Sequence, residues 1–217
     1  MNRFDSYYYH LAGFALIVGP LLLVTAAGAA ARGLGTTTGR WYENLLEGAL
    51  MIIGFSLLLI GLQALSRLIG QTQPRLGITV AMLSVFGIIG AIMPSFTRIE
   101  GSIMLTRGIT VDQLDRVHNA ETMTQAEYFI LPFILSFFLT FLLVAFGLWR
   151  AKARPRFAPV ILSIGAILFP LAQAQTVPNM ALYIPATAAW LLGFAPLGLT
   201  MLRDTPGLDV EYVASAT

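Results

Sequence analysis

The sequence predicts an all-α membrane protein: a polytopic bundle of six transmembrane helices, with a short surface helix in the loop between spans three and four. Only 11% of the 217 residues are charged and 57% are apolar, whereas a soluble domain carries about 25% charged residues. Apolar stretches of spanning length recur along the chain, and basic residues cluster between them. Because the chain lacks enough polar surface to cover a globule in water, membrane lipid is its expected surrounding.

Each predicted span has about 20 mostly apolar residues, the length that a helix needs to cross the hydrocarbon core. None contains Asp, Lys or Arg, and Glu47 lies at the edge of the second. Glycine and proline inside the spans are tolerated where neighbouring helices satisfy the backbone. The predicted spans form a single domain and cover residues 11–31, 46–66, 76–96, 128–149, 157–174 and 180–202.

The first span also has features of a cleavable signal peptide, because Ala27-Gly28-Ala29 fits a cleavage site. Against cleavage, Asp5 and three tyrosines dilute the basic end, and the apolar run is long and contains Pro20. Tyr7, Tyr8 and Tyr9 are typical of an interfacial aromatic belt. We expect a retained helix, with cleavage as the alternative.

Orientation is predicted from the positions of the basic residues. If the N-terminus is inside, eight of the 13 Lys and Arg residues lie on the cytoplasmic side, and the short connection 150–156 holds four of the eight. Short basic loops favour the cytoplasm. The sequence therefore predicts a protein of a bacterial cytoplasmic (inner) membrane with both termini cytoplasmic, residues 97–126 as an extracytoplasmic loop and 204–217 as a cytoplasmic tail.

The long loop 97–126 is predicted to contain the surface helix. Thr110 and Gln113 have the spacing of a capping box, in which each residue caps the other's backbone at a helix start. Apolar residues then recur on one helix face, which His118 and Glu121 would continue towards the mouth of the bundle. The apolar residues of this face are Val111, Leu114 and Val117.

Polar side chains gather at this predicted outer side, and six of them are candidate ligand-binding residues. They are Glu43, Glu47, His118, Glu121, Glu127 and Gln173. Three interpretations are open. In the first, these residues are solvated helix starts, and Thr124 with Glu127 forms a second capping box. In the second, they rim a lipophilic cavity between helices, with Glu47 as the inward-facing group. In the third, His118 and Glu121, at i and i+3, hold a metal.

Several classes of function are disfavoured by residues that the chain lacks. It has no cysteine, and the two histidines, His10 and His118, would lie at opposite ends of the bundle, about 30 Å apart, so that they cannot ligate one haem. No phosphate-binding or hydrolase motif is present. The basic run 150–156 is explained by membrane anchoring, so nucleic acid is not an expected partner. No cofactor is predicted.

The function expected from the sequence is the binding, or assisted movement, of a small lipophilic or amphiphilic molecule by a protein that is not an enzyme. One alternative is a structural or accessory subunit of a larger membrane complex or homo-oligomer, packed through small-residue helix faces. A second alternative is a metal-dependent membrane enzyme that uses the outer glutamates and His118.

Overall fold

The structure, a computed structural model, describes residues 3–38, 40, 42–118, 121–173 and 179–203. Side chains are described at 6–38, 40, 42–117, 130–172 and 179–203. All described elements of regular structure are helices, which confirms the predicted helical membrane bundle. They are α1 (Arg3–Ala31), α2 (Leu45–Thr72), α3 (Pro74–Thr106), α4 (Val111–His118), α5 (Glu121–Arg150), α6 (Ala158–Gln173) and α7 (Met180–Arg203).

The number of spans is close to the prediction. In the described part of the chain, α1, α2, α3, α5 and α7 are long and apolar enough to cross a membrane. Helix α6 is apolar but has only 16 residues, about 24 Å at the usual rise per residue. It packs along α7, with Gly165 against Trp190 and Gly193 against Leu162. Helix α6 therefore runs antiparallel to α7 as the sixth and shortest member of the bundle.

The six helices other than α4 form a closed ring, in which α1 contacts α2 and α7, α3 contacts α2 and α5, and α6 contacts α5 and α7. Glycines permit the close contacts: a Cβ on Gly13 would lie 2.8 Å from the carbonyl oxygen of Gly198, and a Cβ on Gly19 would lie 2.9 Å from that of Gly54. Since the start of α1 meets the end of α7, these two helix ends lie at the same end of the bundle. We call it the termini end, and the opposite end the α4 end.

The bundle is apolar both outside and inside. Large apolar side chains are exposed on its outer surface, for example Ile53, Ile78 and Leu135. In the interior, the rings of Phe137 and Phe141 pack against the fully buried Trp190, with ring centroids 5.6 and 4.6 Å away. An apolar exterior around an aromatic core is the arrangement expected of an integral membrane protein.

The surface helix α4 begins with the predicted capping box. The Thr110 N–H donates to Gln113 Oε1 at 2.9 Å, and the Gln113 N–H donates to Thr110 Oγ1 at 3.3 Å. Of the predicted apolar face, Leu114 is fully buried, while Val117 is 56% exposed. Helix α4 is attached to the bundle at Asp115, whose carboxylate accepts a hydrogen bond from the Tyr42 hydroxyl at 2.5 Å.

The segment between the third and fourth spans is more helical than predicted. Helix α3 continues to Thr106, ten residues beyond the predicted end of the span, and ends next to Gly108, which has a φ of +90°. Helix α5 begins at Glu121, so Thr124 lies inside it and not at a helix start. Hydropathy falls after residue 96, but no residue there interrupts a helix until Gly108, so a span boundary placed by hydropathy ends too early.

Candidate functional site

Three local contacts shape the start of α2, and two of them hold it against α3. Asn44 caps α2, and its side-chain oxygen accepts the Glu47 N–H at 2.9 Å. The Asn44 N–H donates to the carbonyl oxygen of Arg98 at 3.2 Å. A Cβ on Gly48 would lie 2.6 Å from the Ser95 carbonyl oxygen, so only glycine permits this approach. These contacts bring the side chains of Glu47 and Arg98 together.

Glu47 and Arg98 form a buried ion pair at the α4 end. The Arg98 Nε lies 3.3 Å from Glu47 Oε2, and the two side chains are 3% and 6% exposed, respectively. Tyr183 of α7 donates its hydroxyl to Glu47 Oε1 at 3.1 Å. Buried charges are costly unless they are paired and hydrogen-bonded. The cluster of Glu47, Arg98 and Tyr183 therefore links α2, α3 and α7 through a pair without net charge.

The Arg98 guanidinium has more donors than its observed contacts use. Its Nη1 donates to the Pro94 carbonyl oxygen at 3.1 Å. Its Nε is within ion-pair distance of Glu47 but makes no aligned hydrogen bond to any described residue. A guanidinium carries five N–H groups, so the buried arginine retains donor capacity.

An apolar cavity of about 100 Å³, open on one side, lies next to this ion pair, between α2, α3, α5 and α6. Arg98 is the charged residue of its wall. Pro94 has no N–H to donate to the carbonyl of Gly90, one turn earlier, which weakens α3 beside the cavity. The apolar lining includes Met51, Phe55, Ala91, Phe137, Phe138 and Phe169.

Glu43, a predicted site residue, has a different set of partners. Its carboxylate accepts backbone N–H groups of Thr37 and Thr38 at 2.9 Å and the hydroxyls of Thr36 at 2.6 Å and Thr38 at 2.9 Å. Burial raises the pKa of Glu43, but these hydrogen bonds outweigh it and hold the pKa below its ordinary value of 4.5. Glu43 thus closes the loop before α2, whereas Glu47, four residues on, faces α3 and α7.

A second polar contact at this end joins α4 to the same loop. Arg40 Nη2 lies 3.0 Å from Asp115 Oδ2, alongside the hydrogen bond from Tyr42. Burial, and then the hydrogen bond to Asp115, raises the pKa of Tyr42 to about 12. Tyr42 therefore stays protonated, and a donor to Asp115, through the neutral pH range.

The other predicted site residues lie where side chains are not described. The backbone places His118 at the end of α4, Glu121 at the start of α5, Glu127 two turns into α5 and Gln173 at the end of α6. Their part in a ligand or metal site stays a prediction. Among the side chains that the structure does describe, no three His, Asp or Glu residues are grouped as metal ligands.

The six candidate residues selected from the sequence do not include Arg98 or Tyr183. Arg98 falls among the polar residues of the predicted outer loop 97–126, because the predicted span ends at residue 96. One sequence signal could have placed it: small or apolar residues recur along α3 at alternating spacings of three and four, typical of a helix face that packs on another helix, and Arg98 falls in the same series. That face comprises Gly77, Val80, Ser84, Gly87, Ala91, Pro94, Arg98 and Gly101.

Comparison of this chain with known protein families, curated proteins and solved structures found no match. The fold itself defines the class of protein. Within the residues that the structure describes, five long apolar helices and one shorter one, packed in a ring, make it a multi-pass integral membrane protein.

Proposed function

We propose that this membrane protein binds a small lipophilic or amphiphilic molecule in the cavity between α2, α3, α5 and α6, and holds it there or passes it through the membrane. The observation that carries the proposal is the cavity itself, whose lining is apolar apart from one buried arginine. Binding sites for small molecules are mostly apolar with a few polar groups that fix orientation.

The size of the cavity limits the part of a ligand that it can enclose. Its volume is about 100 Å³, and an apolar protein cavity of about 150 Å³ is known to stay dry and to bind benzene. A single ring or a short alkyl segment is therefore the expected occupant. The rings of Phe55, Phe137, Phe138 and Phe169 offer faces and edges against which such a group can pack.

The chain has a suitable fluorescent reporter for this binding. Trp190 packs on Phe169, a cavity residue, with ring centroids 4.7 Å apart. The chain has three tryptophans, so replacing Trp41 and Trp149 by Phe leaves Trp190 as the single emitter. We expect ethylbenzene, added to this variant in detergent, to change the Trp190 emission in a saturable way.

Filling the cavity provides the decisive comparison. Ala91→Phe places a ring at the cavity wall, whereas Val85→Phe places one on an exposed face of the same helix. The proposal requires that Ala91→Phe abolish the saturable response and that Val85→Phe retain it. Equal responses in both variants would mean that ethylbenzene binds elsewhere, and the proposal would fail.

We also propose that the termini end faces the cytoplasm, since the basic connection 150–156 lies there. Because the chain has no cysteine, single cysteines can report accessibility. In intact cells, a membrane-impermeant maleimide is expected to label Asp112→Cys in α4 but not Lys152→Cys. The reverse pattern would invert the orientation.

A further inference from the structure

We propose that the ligand carries an uncharged hydrogen-bond acceptor, such as a carbonyl oxygen, and that the Arg98 guanidinium donates to it. This inference rests on the proposed function and adds the chemistry of the ligand's polar group. Its basis is the position of one incompletely used, buried donor group in the wall of an otherwise apolar cavity.

Within the cluster, the acceptors of Glu47 are occupied, whereas the donors of Arg98 are only partly used. Each oxygen of the Glu47 carboxylate already has a partner: Oε1 accepts from Tyr183 and Oε2 faces Arg98 Nε. The guanidinium, in contrast, has five N–H groups; among the described residues, one group, on Nη1, is in an aligned hydrogen bond, to the Pro94 carbonyl, and the Nε lies within ion-pair distance of Glu47, which leaves N–H groups on the two terminal nitrogens for a ligand. What the cluster has to offer a ligand is therefore donors, and they belong to a residue that lines the cavity.

The charge of the cluster selects the kind of acceptor. Glu47 and Arg98 compensate each other, and both are almost completely buried. An anionic ligand would bring a second negative charge to a single guanidinium and leave one charge uncompensated in an apolar site, which is costly. A ketone, ester or similar group accepts a hydrogen bond from Arg98 without adding charge. Such a bond, made to a charged donor, is among the stronger ones.

Three compounds of similar size separate the possibilities on the unaltered site: acetophenone, which has a carbonyl, ethylbenzene, which has no acceptor, and benzoate, which is anionic. Affinities are measured with the Trp190 reporter. Each dissociation constant is expressed as the mole fraction of the compound in the micelle, so that differences in partitioning into detergent do not affect the comparison. We expect acetophenone to bind more tightly than ethylbenzene by about tenfold, or about 1.4 kcal/mol, the order of one hydrogen bond to a charged group. Benzoate should bind least.

A second measurement observes the hydrogen bond directly. The infrared carbonyl stretch of ¹³C-labelled acetophenone should move to lower frequency in the protein than in protein-free micelles. In the double variant Glu47→Gln/Arg98→Met, which removes both charges together, the shift and the tenfold preference should disappear while ethylbenzene still binds.

The outcomes distinguish this inference from the function on which it rests. Equal binding of acetophenone and ethylbenzene, or an unshifted carbonyl band, would overturn the inference and leave the cavity proposal intact. Tightest binding by benzoate would instead identify an anion site and overturn it too. Absence of saturable binding by all three compounds would remove the proposed function as well. The binding and infrared measurements on the unaltered site test the inference even if the double variant does not fold.

Discussion

The buried pair of Glu47 and Arg98 predicts a specific pattern of stability among variants. With their charged atoms 3.3 Å apart, the attraction is about 5 kcal/mol at an effective dielectric constant of about 20. Removing one partner of a buried pair typically costs roughly 3–5 kcal/mol, because the remaining charge is uncompensated, whereas removing both can be nearly neutral. The double variant Glu47→Gln/Arg98→Met should therefore be destabilised by much less than the sum of the single variants.

The two single variants should also differ from each other. After Glu47→Gln, the guanidinium keeps its charge at all accessible pH values. After Arg98→Met, the Glu47 carboxylate loses its counter-charge but keeps the hydrogen bond from the Tyr183 hydroxyl. Glu47→Gln, which leaves the buried guanidinium with only the Pro94 carbonyl as an aligned partner among the described residues, is therefore expected to be the more destabilising single change.

The assay is the free energy of unfolding in mixed micelles, obtained by titration with sodium dodecyl sulfate and followed by far-ultraviolet circular dichroism. The four proteins of the cycle are compared under identical conditions. Single-variant losses below about 1 kcal/mol, the range of exposed ion pairs, would refute the reasoning. So would a double variant whose loss equals the sum, since that means no coupling between the two residues.

Three further predictions concern packing and the α4 end. Gly48→Ala should lower the unfolding free energy by about 1–3 kcal/mol, because the new Cβ would lie 2.6 Å from a carbonyl oxygen of α3. Gly28→Ala is the control: no atom lies within 4 Å of its Cβ, so the unfolding free energy should not fall in the same titration. The folded pKa of Glu43 lies below 4.5. The stabilisation that its carboxylate provides is therefore present above that pH and is lost as the pH falls through the folded pKa. The difference in unfolding free energy between the parent and Glu43→Gln should shrink on acidification, and a constant difference would contradict this. Asp115→Asn should speed hydrogen exchange across α4, because it weakens the contacts of that helix with Arg40 and Tyr42; unchanged exchange would contradict this.

The sequence was most informative where a local pattern of residues, such as an apolar stretch or a capping pair, determined the structure. Six apolar stretches predicted the five long helices and the shorter α6 of the described bundle, and the spacing of Thr110 and Gln113 predicted the start of α4, since these features depend only on neighbours along the chain. The same reasoning ended α3 too early and placed Thr124 at a helix start. Hydropathy marks the depth at which lipid ends, which need not coincide with the residue at which a helix ends.

Glu47 was selected from the sequence because a carboxylate near a span edge is costly to bury, and the structure shows how that charge is compensated. Its partners, Arg98 and Tyr183, lie 51 and 136 positions further along the chain, and no local pattern specifies which arginine or tyrosine will be adjacent. That pairing follows from the close approach of α2 to α3 at Gly48 and from the closure of the ring by α7.

Composition and periodicity alone determined that this chain belongs in a membrane, roughly where it crosses, and which residues are too polar to face lipid. Only the tertiary structure decided that Glu43 closes a loop while Glu47 is paired with Arg98, and that a cavity lies beside that pair. The physical reason is that solvation by lipid acts on each segment separately, whereas the partner of a buried charge and the space left between helices depend on how distant segments pack.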